Sequence, residues 1–267
     1  MLLLLVIGLA TVVLAFPFMG FSRRDRVIAA WSEGLLRVCG VSVQSIDPPA
    51  PEPAAEPRSS DGSDPGATVG TLLVCNHVSW LDIFVILARR PAHFVAKSEI
   101  ATWPLAGRLV RGAGTLFIER GRRHAVHQLN ERIGSMLNAG RCVAVFPEGT
   151  TSDGRRLLPF HANLIEPALR CGAPVVPIGL RYLRPDGAPH EAIDFTGDTS
   201  LVASMLRVFG SARVVVQVHA LPAVSGPSRH AVAQAARRAM AERLDLPTED
   251  NTGPLHRAIE GGARPQA

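Results

Sequence analysis

The sequence has few aromatic residues and almost no lysine. Phe, Trp and Tyr make up 5% of its 267 residues, and Lys97 is the only lysine, so the net charge of +5 comes almost wholly from arginine. Proteins that bind single-stranded nucleic acid stack its bases on aromatic side chains, which are scarce here. The composition therefore predicts no nucleic-acid partner, while 47% of apolar residues are enough for one sizeable core.

The sequence also lacks the cysteine patterns of metal sites and disulfide frameworks. Its four cysteines are scattered and mostly lie in or beside apolar runs, at Cys39, Cys75, Cys142 and Cys171. There is no Cys-x-x-Cys pair and no histidine at metal-ligand spacing. We expect reduced, buried thiols in a cytosolic domain, without a zinc site or any other metal.

The first residues of the chain predict its compartment. No charged residue occurs in Leu2–Ser22, and at about 1.5 Å per residue such a helix spans roughly the 30 Å hydrocarbon core of a bilayer. Arg23, Arg24 and Arg26 follow directly, and basic residues beside a membrane segment stay on the cytoplasmic side. We therefore expect residues 1–22 to be a single N-terminal anchor in the inner (cytoplasmic) membrane, with the remaining chain facing the cytoplasm.

Two alternatives to a spanning anchor are open. A cleaved signal peptide normally starts with basic residues, but only Met1 precedes this apolar stretch, and the segment 14–17 is a poor cleavage site. Alternatively, Pro17 and Gly20 would break the segment into a helix that lies in the membrane without crossing it. Beside such a segment, the modest basic excess suits anionic lipid headgroups better than DNA.

The rest of the chain divides into four segments by composition. Residues 23–46 have an amphipathic helical pattern, which fits either the membrane surface or packing onto the main domain. Residues 47–68 are rich in Pro, Ser, Gly and acidic residues and predict a flexible linker or loop. Residues 69–246 contain the main domain, and residues 247–267 predict a disordered tail.

Strand and helix patterns alternate through the main domain. Strand patterns cover residues 71–75, 93–96, 114–118, 142–146, 175–182 and 214–219, with a further short strand at 41–43, and helical patterns cover 83–87, 104–110, 123–139, 162–170 and 228–244. This alternation predicts an α/β fold, with a mostly parallel or mixed sheet flanked by helices.

The segment Asn76-His77-Val78-Ser79-Trp80-Leu81-Asp82 follows a strand pattern and combines a histidine with a carboxylate. Residues five apart do not share one helix face, so contact requires His77 in the turn and Asp82 in the first turns of the next helix. The carboxylate would then fix the imidazole tautomer and leave the other ring nitrogen as a general base. A histidine cap and an aspartate favoured by the helix dipole are the structural alternative.

A basic segment follows the strand pattern 114–118. Arg120 comes just after the end of this strand, with Arg122 and Arg123 close behind. The guanidinium group suits a phosphate because it donates two parallel hydrogen bonds. A solvated basic loop is the structural alternative.

Two more segments follow or form strand patterns. Pro147-Glu148-Gly149-Thr150 lacks the Gly-Lys-Ser/Thr ending of a phosphate-binding loop. Glu148 can accept a hydrogen bond from a substrate hydroxyl or hold an arginine, and Gly149 lets a ligand approach the backbone, although a simple turn explains both. The proline-broken apolar segment 173–180 suits a wall for an acyl chain or an ordinary core strand.

Together the four blocks resemble the lysophospholipid acyltransferase family, which includes bacterial 1-acyl-sn-glycerol-3-phosphate acyltransferases. The family pattern N-H-x4-D corresponds to residues 76–82, and the block that ends in arginine to residues 114–120. The patterns F-P-E-G-T-R-S and V-P-I correspond to residues 146–152 and 176–178. Each block alone is weak, whereas four in this order over residues 70–182 are specific.

The resemblance implies acyl transfer from acyl-ACP (acyl carrier protein) or acyl-coenzyme A to the free hydroxyl of a lysophospholipid. The expected acceptor is 1-acyl-sn-glycerol-3-phosphate, which gives phosphatidate. His77 is expected to be the base and Asp82 to orient it, with no metal or other cofactor, because the thioester is already activated. The expected substrate-binding residues are Asn76, Arg120, Glu148, Gly149 and Thr150, with Arg120 on the lipid phosphate.

One residue departs from the family pattern. Thr151 stands where the family has an arginine, so Arg120, Arg122 or Arg155 would hold a phosphate, or the headgroup differs. The run 150–154 resembles that of lyso-ornithine lipid acyltransferases, which makes lyso-ornithine lipid the alternative acceptor. Remoter alternatives are a lipid esterase, for which the Gly-x-Ser-x-Gly motif is missing, and a catalytically inactive lipid-binding module.

Overall fold

The computed structural model describes residues 2–46, 69–103, 106–118, 123–197 and 199–249. Its helices are α1 (Leu2–Ala10), α2 (Phe21–Val38), α3 (Leu81–Leu87), α4 (Ala106–Gly112), α5 (Arg123–Asn138), α6 (Glu166–Cys171), α7 (Leu201–Phe209) and α8 (Arg229–Leu244). Its strands are β1 (Val41–Ser45), β2 (Leu72–Cys75), β3 (His93–Lys97), β4 (Leu116–Ile118), β5 (Val143–Val145), β6 (Val175–Leu183) and β7 (Val214–Ala220). The predicted linker 47–68, the expected phosphate ligand Arg120 and residues 250–267 lie outside the described residues.

The strands form one sheet in the order β1-β7-β6-β2-β5-β3-β4. Neighbouring strands are parallel except for β6 and β7, which are antiparallel. The sheet is therefore mixed and mostly parallel, and it is flanked by helices on both faces. The predicted fold class is confirmed, apart from its N-terminal anchor.

Two apolar cores cover the two faces of the sheet. Leu73 and Cys75 of β2 point to the core formed with α2, α3 and α7, whereas Leu72 and Val74 point to the core formed with α5, α6 and α8. All four side chains of β2 are at most 1% exposed. A central parallel strand needs apolar residues on both faces, which explains why this run is continuous rather than alternating.

The N-terminal apolar segment turns instead of continuing as one helix. A π-helical turn over Thr11–Ala15 and a 3-10 turn over Phe16–Phe18 follow α1, and Gly20 is extended before α2 begins. Pro17 contributes to the break because it has no amide hydrogen for a helical bond. In the described part of the chain, no helix has both the length and the apolar character needed to cross a membrane. The single spanning anchor expected over residues 1–22 is therefore not supported.

Helix α2 packs onto the sheet, which was one of the two options for the amphipathic segment. Leu35 and Leu36 are each 1% exposed and belong to the core beneath α3. Trp31 on the same helix lies against Phe84 of α3, with ring centroids 5.7 Å apart.

Two features were not expected from the sequence. Helix α7 starts at a Ser200 cap, whose hydroxyl accepts a hydrogen bond from the Ala203 amide at 3.2 Å. In the predicted tail, the Leu157 amide donates to the Pro247 carbonyl, and the Glu249 amide donates to the Leu157 carbonyl, both at 3.0 Å. Residues 247–249 are therefore attached to the domain.

The strand order brings the candidate loops to one edge of the sheet. Val74 of β2 is opposite Val145 of β5 in a parallel pair, so the loops after these strands leave the sheet side by side. Strand β4 ends at the same edge, three strands away from β2 through β5 and β3. At about 4.8 Å per strand, its end lies roughly 14 Å from that of β2.

Candidate active site

His77 and Asp82 meet where β2 leads into α3. Asp82 lies in the first turn of α3, and His77 lies in the preceding loop. The Nδ1 atom of His77 is 2.7 Å from Oδ2 of Asp82. The structure therefore brings together the two residues that the sequence pairs as base and orienting carboxylate.

The carboxylate of Asp82 is fully buried and has donors on both oxygens. Its Oδ2 also accepts hydrogen bonds from the amides of Val78 at 2.8 Å and Ser79 at 2.9 Å. Its Oδ1 accepts a hydrogen bond from the Tyr182 hydroxyl at 2.6 Å. Four donors offset the cost of burying a negative charge, and they fix the direction in which the carboxylate faces His77.

The imidazole of His77 is held so that one nitrogen remains available. A hydrogen bond to a carboxylate places the proton on Nδ1, and Nε2 of the neutral ring is then an acceptor. The ring stacks on Phe146 with centroids 4.0 Å apart, and the side chain is 21% exposed. The arrangement is that of a general base with a fixed tautomer and access to solvent.

The loop after β5 also holds the backbone of His77. The His77 carbonyl accepts hydrogen bonds from the amide of Ser152 at 2.8 Å and from its hydroxyl at 3.2 Å. The His77 amide donates to Oε1 of Glu148 at 3.3 Å. The two candidate loops therefore form one unit around the base.

Glu148 is 3% exposed and lies beside the catalytic pair. Burial raises the pKa of this carboxyl well above its ordinary value, against the lowering effect of the hydrogen bond from the His77 amide. Its second oxygen, Oε2, has no hydrogen-bond partner among the described residues.

Gly149 and Thr150 follow Glu148 and differ in what they offer. Gly149 has φ +70°, a conformation that costs a side chain energy, and an added Cβ would lie 3.3 Å from the His161 ring. The side chain of Thr150 is exposed. Of the residues expected to bind the acceptor, Thr150 is thus exposed and Gly149 partly exposed.

Asn76 is placed differently from the expected substrate contact. Its Nδ2 donates to the Leu180 carbonyl at 3.0 Å, and its Oδ1 accepts from the Leu180 amide at 2.7 Å. The residue is 1% exposed, and both polar ends of its carboxamide bond to β6. Asn76 thus connects the start of the His77 loop to the neighbouring strand.

Thr151 occupies the position of the family arginine without leaving a free hydroxyl. Its Oγ1 donates a hydrogen bond to the carbonyl of Phe195. Of the three arginines expected to replace the missing charge, only Arg155 lies in the described residues, where it pairs with Glu191 at 2.9 Å.

A cavity of about 200 Å³ adjoins the two loops. Val78 and Gly154 line it on the side of the site, and Arg155, Asp153 and Asp194 contribute charged groups. Partial burial, together with the charge of Asp153, raises the pKa of Asp194. The cavity thus offers both a cation and carboxyl groups to a ligand.

Two residues that hold the site, Ser152 and Tyr182, were not expected from the sequence. Ser152 was noted only as part of a motif, and Tyr182 only as the end of a strand. The Tyr182 phenol lies in a strand that is apolar apart from Arg181, and a buried phenol normally has a hydrogen-bond partner, which was the available signal. Within the described ranges, no group of three or more His, Cys, Asp or Glu side chains could hold a metal ion.

Comparisons with known proteins agree with this geometry. The Acyltransferase family model matches residues 60–181. The lyso-ornithine lipid O-acyltransferase of Pseudomonas aeruginosa is 39% identical over 171 residues, which cover 63% of this chain and 66% of that protein. The 1-acyl-sn-glycerol-3-phosphate acyltransferase of Neisseria gonorrhoeae is 34% identical over 195 residues, which cover 73% of this chain and 70% of that protein. The matches span about two thirds of the length of these relatives.

A solved structure shares the fold. The crystal structure of the 1-acyl-sn-glycerophosphate acyltransferase PlsC from Thermotoga maritima superposes with a TM-score of 0.59 at 19% identity. The superposition covers 91% of this chain and 94% of that one. With its fold, its His-Asp pair and its relatives in agreement, this chain belongs to the acyltransferase family.

Proposed function

We propose that this chain transfers a fatty acyl group from acyl carrier protein or coenzyme A to the free hydroxyl of a lysophospholipid. The proposed acceptor is 1-acyl-sn-glycerol-3-phosphate, and the product is phosphatidate. The 2.7 Å contact between His77 Nδ1 and Asp82 Oδ2 carries this proposal, because it leaves Nε2 as a base on a partly exposed ring.

The proposed reaction moves one proton through His77. Nε2 takes the proton of the acceptor hydroxyl while its oxygen attacks the thioester carbonyl, and Asp82 stabilises the imidazolium that forms. The carbon–sulfur bond then breaks, and the thiolate takes the proton back from Nε2. No covalent enzyme intermediate is needed, and general-base help of this kind contributes about 100- to 10,000-fold.

We place the acceptor along the loop after β5. Glu148 supports the loop through the His77 amide, and Gly149 and Thr150 face the glycerol end of the lipid. Arg120 is proposed to bind the phosphate, since a guanidinium group donates two parallel hydrogen bonds to phosphate oxygens. Asn76 is proposed to act by holding β2 to β6 and not by touching substrate.

We propose that the enzyme works at the cytoplasmic face of the membrane, with its N-terminal segment lying on the surface. Apolar side chains are exposed there, with Leu14 70%, Phe18 88% and Phe21 60% exposed. The Arg24 guanidinium lies over the Phe21 ring, 5.5 Å from its centroid. Exposed apolar side chains beside arginines favour the interface of an anionic bilayer.

The test is acyl transfer by the purified protein, with labelled acyl donor and lysophosphatidate in mixed micelles. His77→Ala should lower the rate by about 100- to 10,000-fold. The matched control is His127→Ala, because His127 is 60% exposed on α5 and pairs with Glu131. Wild-type activity in His77→Ala would overturn the assignment of the base, and label released as free fatty acid without acceptor would indicate hydrolysis.

Lyso-ornithine lipid is the second candidate acceptor. Thr151 bonds to Phe195 and supplies no charge, and the cavity beside the site presents carboxyl groups together with Arg155. Such a set suits a headgroup that has both an ammonium and a carboxylate. Label entering ornithine lipid but not phosphatidate would favour this acceptor.

Thr151→Arg separates the two acceptors further. It adds the family's guanidinium group and should shift the ratio of rates towards lysophosphatidate. Thr151→Val removes the same hydroxyl without adding charge and should leave that ratio unchanged.

A further inference from the structure

One carboxylate oxygen of Asp82 accepts hydrogen bonds from its own loop, and the other accepts a hydrogen bond from a distant strand. Its Oδ2 bonds to His77 and to two loop amides, whereas Oδ1 accepts from the hydroxyl of Tyr182, which is 100 positions further along the chain. Tyr182 is the only tyrosine in the sequence. The orientation of the carboxylate therefore depends on β6 as well as on the start of α3.

We infer that Tyr182 is a positioning residue for acyl transfer, whose hydroxyl holds Asp82 in the orientation that supports His77. This inference rests on the proposed function, because it concerns the pair that acts as the base.

The register of the sheet fixes Tyr182 opposite Asp82. Cys75 of β2 pairs with Ile178 of β6, and Asn76 then continues the pairing by bonding to both backbone groups of Leu180. Residues two apart on a strand share a face, so Leu180 and Tyr182 both point to the core beneath α3. The strand that Asn76 binds is thus the strand that brings the phenol to the carboxylate.

The phenol is suited to a permanent donor role. Tyr182 is 6% exposed, and burial, together with the neighbouring charge of Asp82, raises its pKa well above the ordinary value. The hydroxyl therefore keeps its proton at working pH. A donor that never ionises keeps Asp82 oriented without competing for the proton that moves through His77.

Four ionisable groups surround the carboxylate of Asp82. His77 comes from the loop before α3, Cys75 from β2, Tyr182 from β6 and Glu148 from the loop after β5. Burial raises the pKa of Cys75 and of Glu148, and the negative charge of Asp82 raises both further. Of these four groups, His77 and Tyr182 hydrogen-bond to the carboxylate.

Tyr182→Phe tests the role of the hydroxyl while keeping the ring. We expect kcat to fall about 10- to 100-fold with little change in KM, because substrate contacts are unaffected. The acid limb of the kcat/KM profile should move to higher pH, since removing a donor from the carboxylate makes the pair hold its proton more tightly. Loss of packing alone would not move that limb.

Ser32→Ala is the matched control. Its hydroxyl is buried on α2 and has no hydrogen-bond partner among the described residues. Both variants should melt within a few degrees of wild type, and only Tyr182→Phe should change kcat and the pH profile. Wild-type kcat and an unmoved acid limb in Tyr182→Phe would overturn the inference, while an inactive wild type would instead overturn the proposed function.

A spectroscopic measurement covers the case in which Tyr182→Phe does not fold. Tyrosine labelled with ¹³C at Cζ gives one resonance, since the chain has one tyrosine. Its chemical shift should follow the same pH dependence as kcat/KM in the wild-type protein. A resonance that does not change across that pH range would overturn the inference.

Discussion

The imidazole of His77 lies flat on the phenyl ring of Phe146, with an interplanar angle of 13°. Phe146 stacks in turn on Phe94, with centroids 5.8 Å apart. Strand β5 ends just before Phe146, so Phe146 is the first residue of the loop after β5. It supports His77, which lies in the loop after β2. The position of the base therefore depends on packing as well as on its hydrogen bond to Asp82.

Replacing Phe146 should affect catalysis more than substrate binding. Phe146→Ala removes the surface under the imidazole, and a base displaced by about 1 Å loses on the order of 100-fold in rate. We expect kcat to fall by this amount, with Phe146→Leu intermediate. The control is Phe160→Leu, since Phe160 packs against the core on the opposite face of the sheet. Steady-state kinetics should show a kcat defect for Phe146 alone, and equal kcat in both variants would contradict the supporting role of this ring.

Asn76→Ala should destabilise the protein. It leaves the amide and carbonyl of Leu180 without their side-chain partners in a buried position, at a cost of about 2–4 kcal/mol. Urea denaturation followed by circular dichroism measures the loss. Asn163→Ala removes an exposed carboxamide and should change the free energy of unfolding by less than about 0.5 kcal/mol. A neutral Asn76→Ala would mean that this pair of hydrogen bonds does not hold β2 to β6.

Gly149→Ala should lower both stability and activity. The backbone at Gly149 has φ +70°, and the new Cβ would also crowd the His161 ring at 3.3 Å. The conformational cost is about 1–2 kcal/mol. Gly187→Ala is the control, because Gly187 has φ +85° with open space around it. Both variants should lose stability in thermal melts, and only Gly149→Ala should lose acyl-transfer rate per folded molecule.

Glu148 should make stability depend on pH. Its pKa is raised in the folded chain above the ordinary value of 4.5, so the folded state holds a proton that the unfolded chain releases. This contribution to stability is complete below about pH 4.5 and is lost as pH rises through the folded value. Glu148→Gln removes the dependence, so its unfolding free energy relative to wild type should increase with pH above 4.5.

Urea titrations at several pH values measure that difference. Glu242→Gln, at an exposed position of α8, should show no such trend. A constant difference between Glu148→Gln and wild type across the range would show that the Glu148 carboxyl is ionised in the folded protein.

Local spacing and the rules of parallel sheets predicted the centre of the site. The distance of five positions between His77 and Asp82 dictated a turn followed by a helix, and the structure has both. A mostly parallel sheet, which the alternation of strands and helices predicted, brings the loops after neighbouring parallel strands to one edge, where residues 76–80 and 146–154 lie. These features depend on neighbours in the chain or on a general property of the sheet.

Contacts between distant segments could not be predicted in the same way. Nothing near Asn76 or Asp82 in sequence indicates Leu180 or Tyr182, because both partners depend on the register of β6 against β2. Helix α7 is amphipathic, but Val202 and Leu206, which lie one turn apart on it, are more than 60% exposed, and its buried residues are Ser204 and Val208. The spanning anchor was predicted from the apolar content of residues 1–22. Apolar content reflects how favourable transfer into lipid is, but it does not show whether the backbone continues as one helix.

The pairing of β1 with β7 has a consequence for the newly made chain. Ser42 bonds to the carbonyl of Val214, a residue 172 positions later. At roughly 5–20 residues per second, a ribosome needs about 9–34 s to make that interval. During this time β1 has no partner strand. The apolar face of α2 can contact only the part of its core that has already been made. Strand β1 is therefore made well before the strand that completes its pairing, and it is among the last strands of the sheet to be fixed in place.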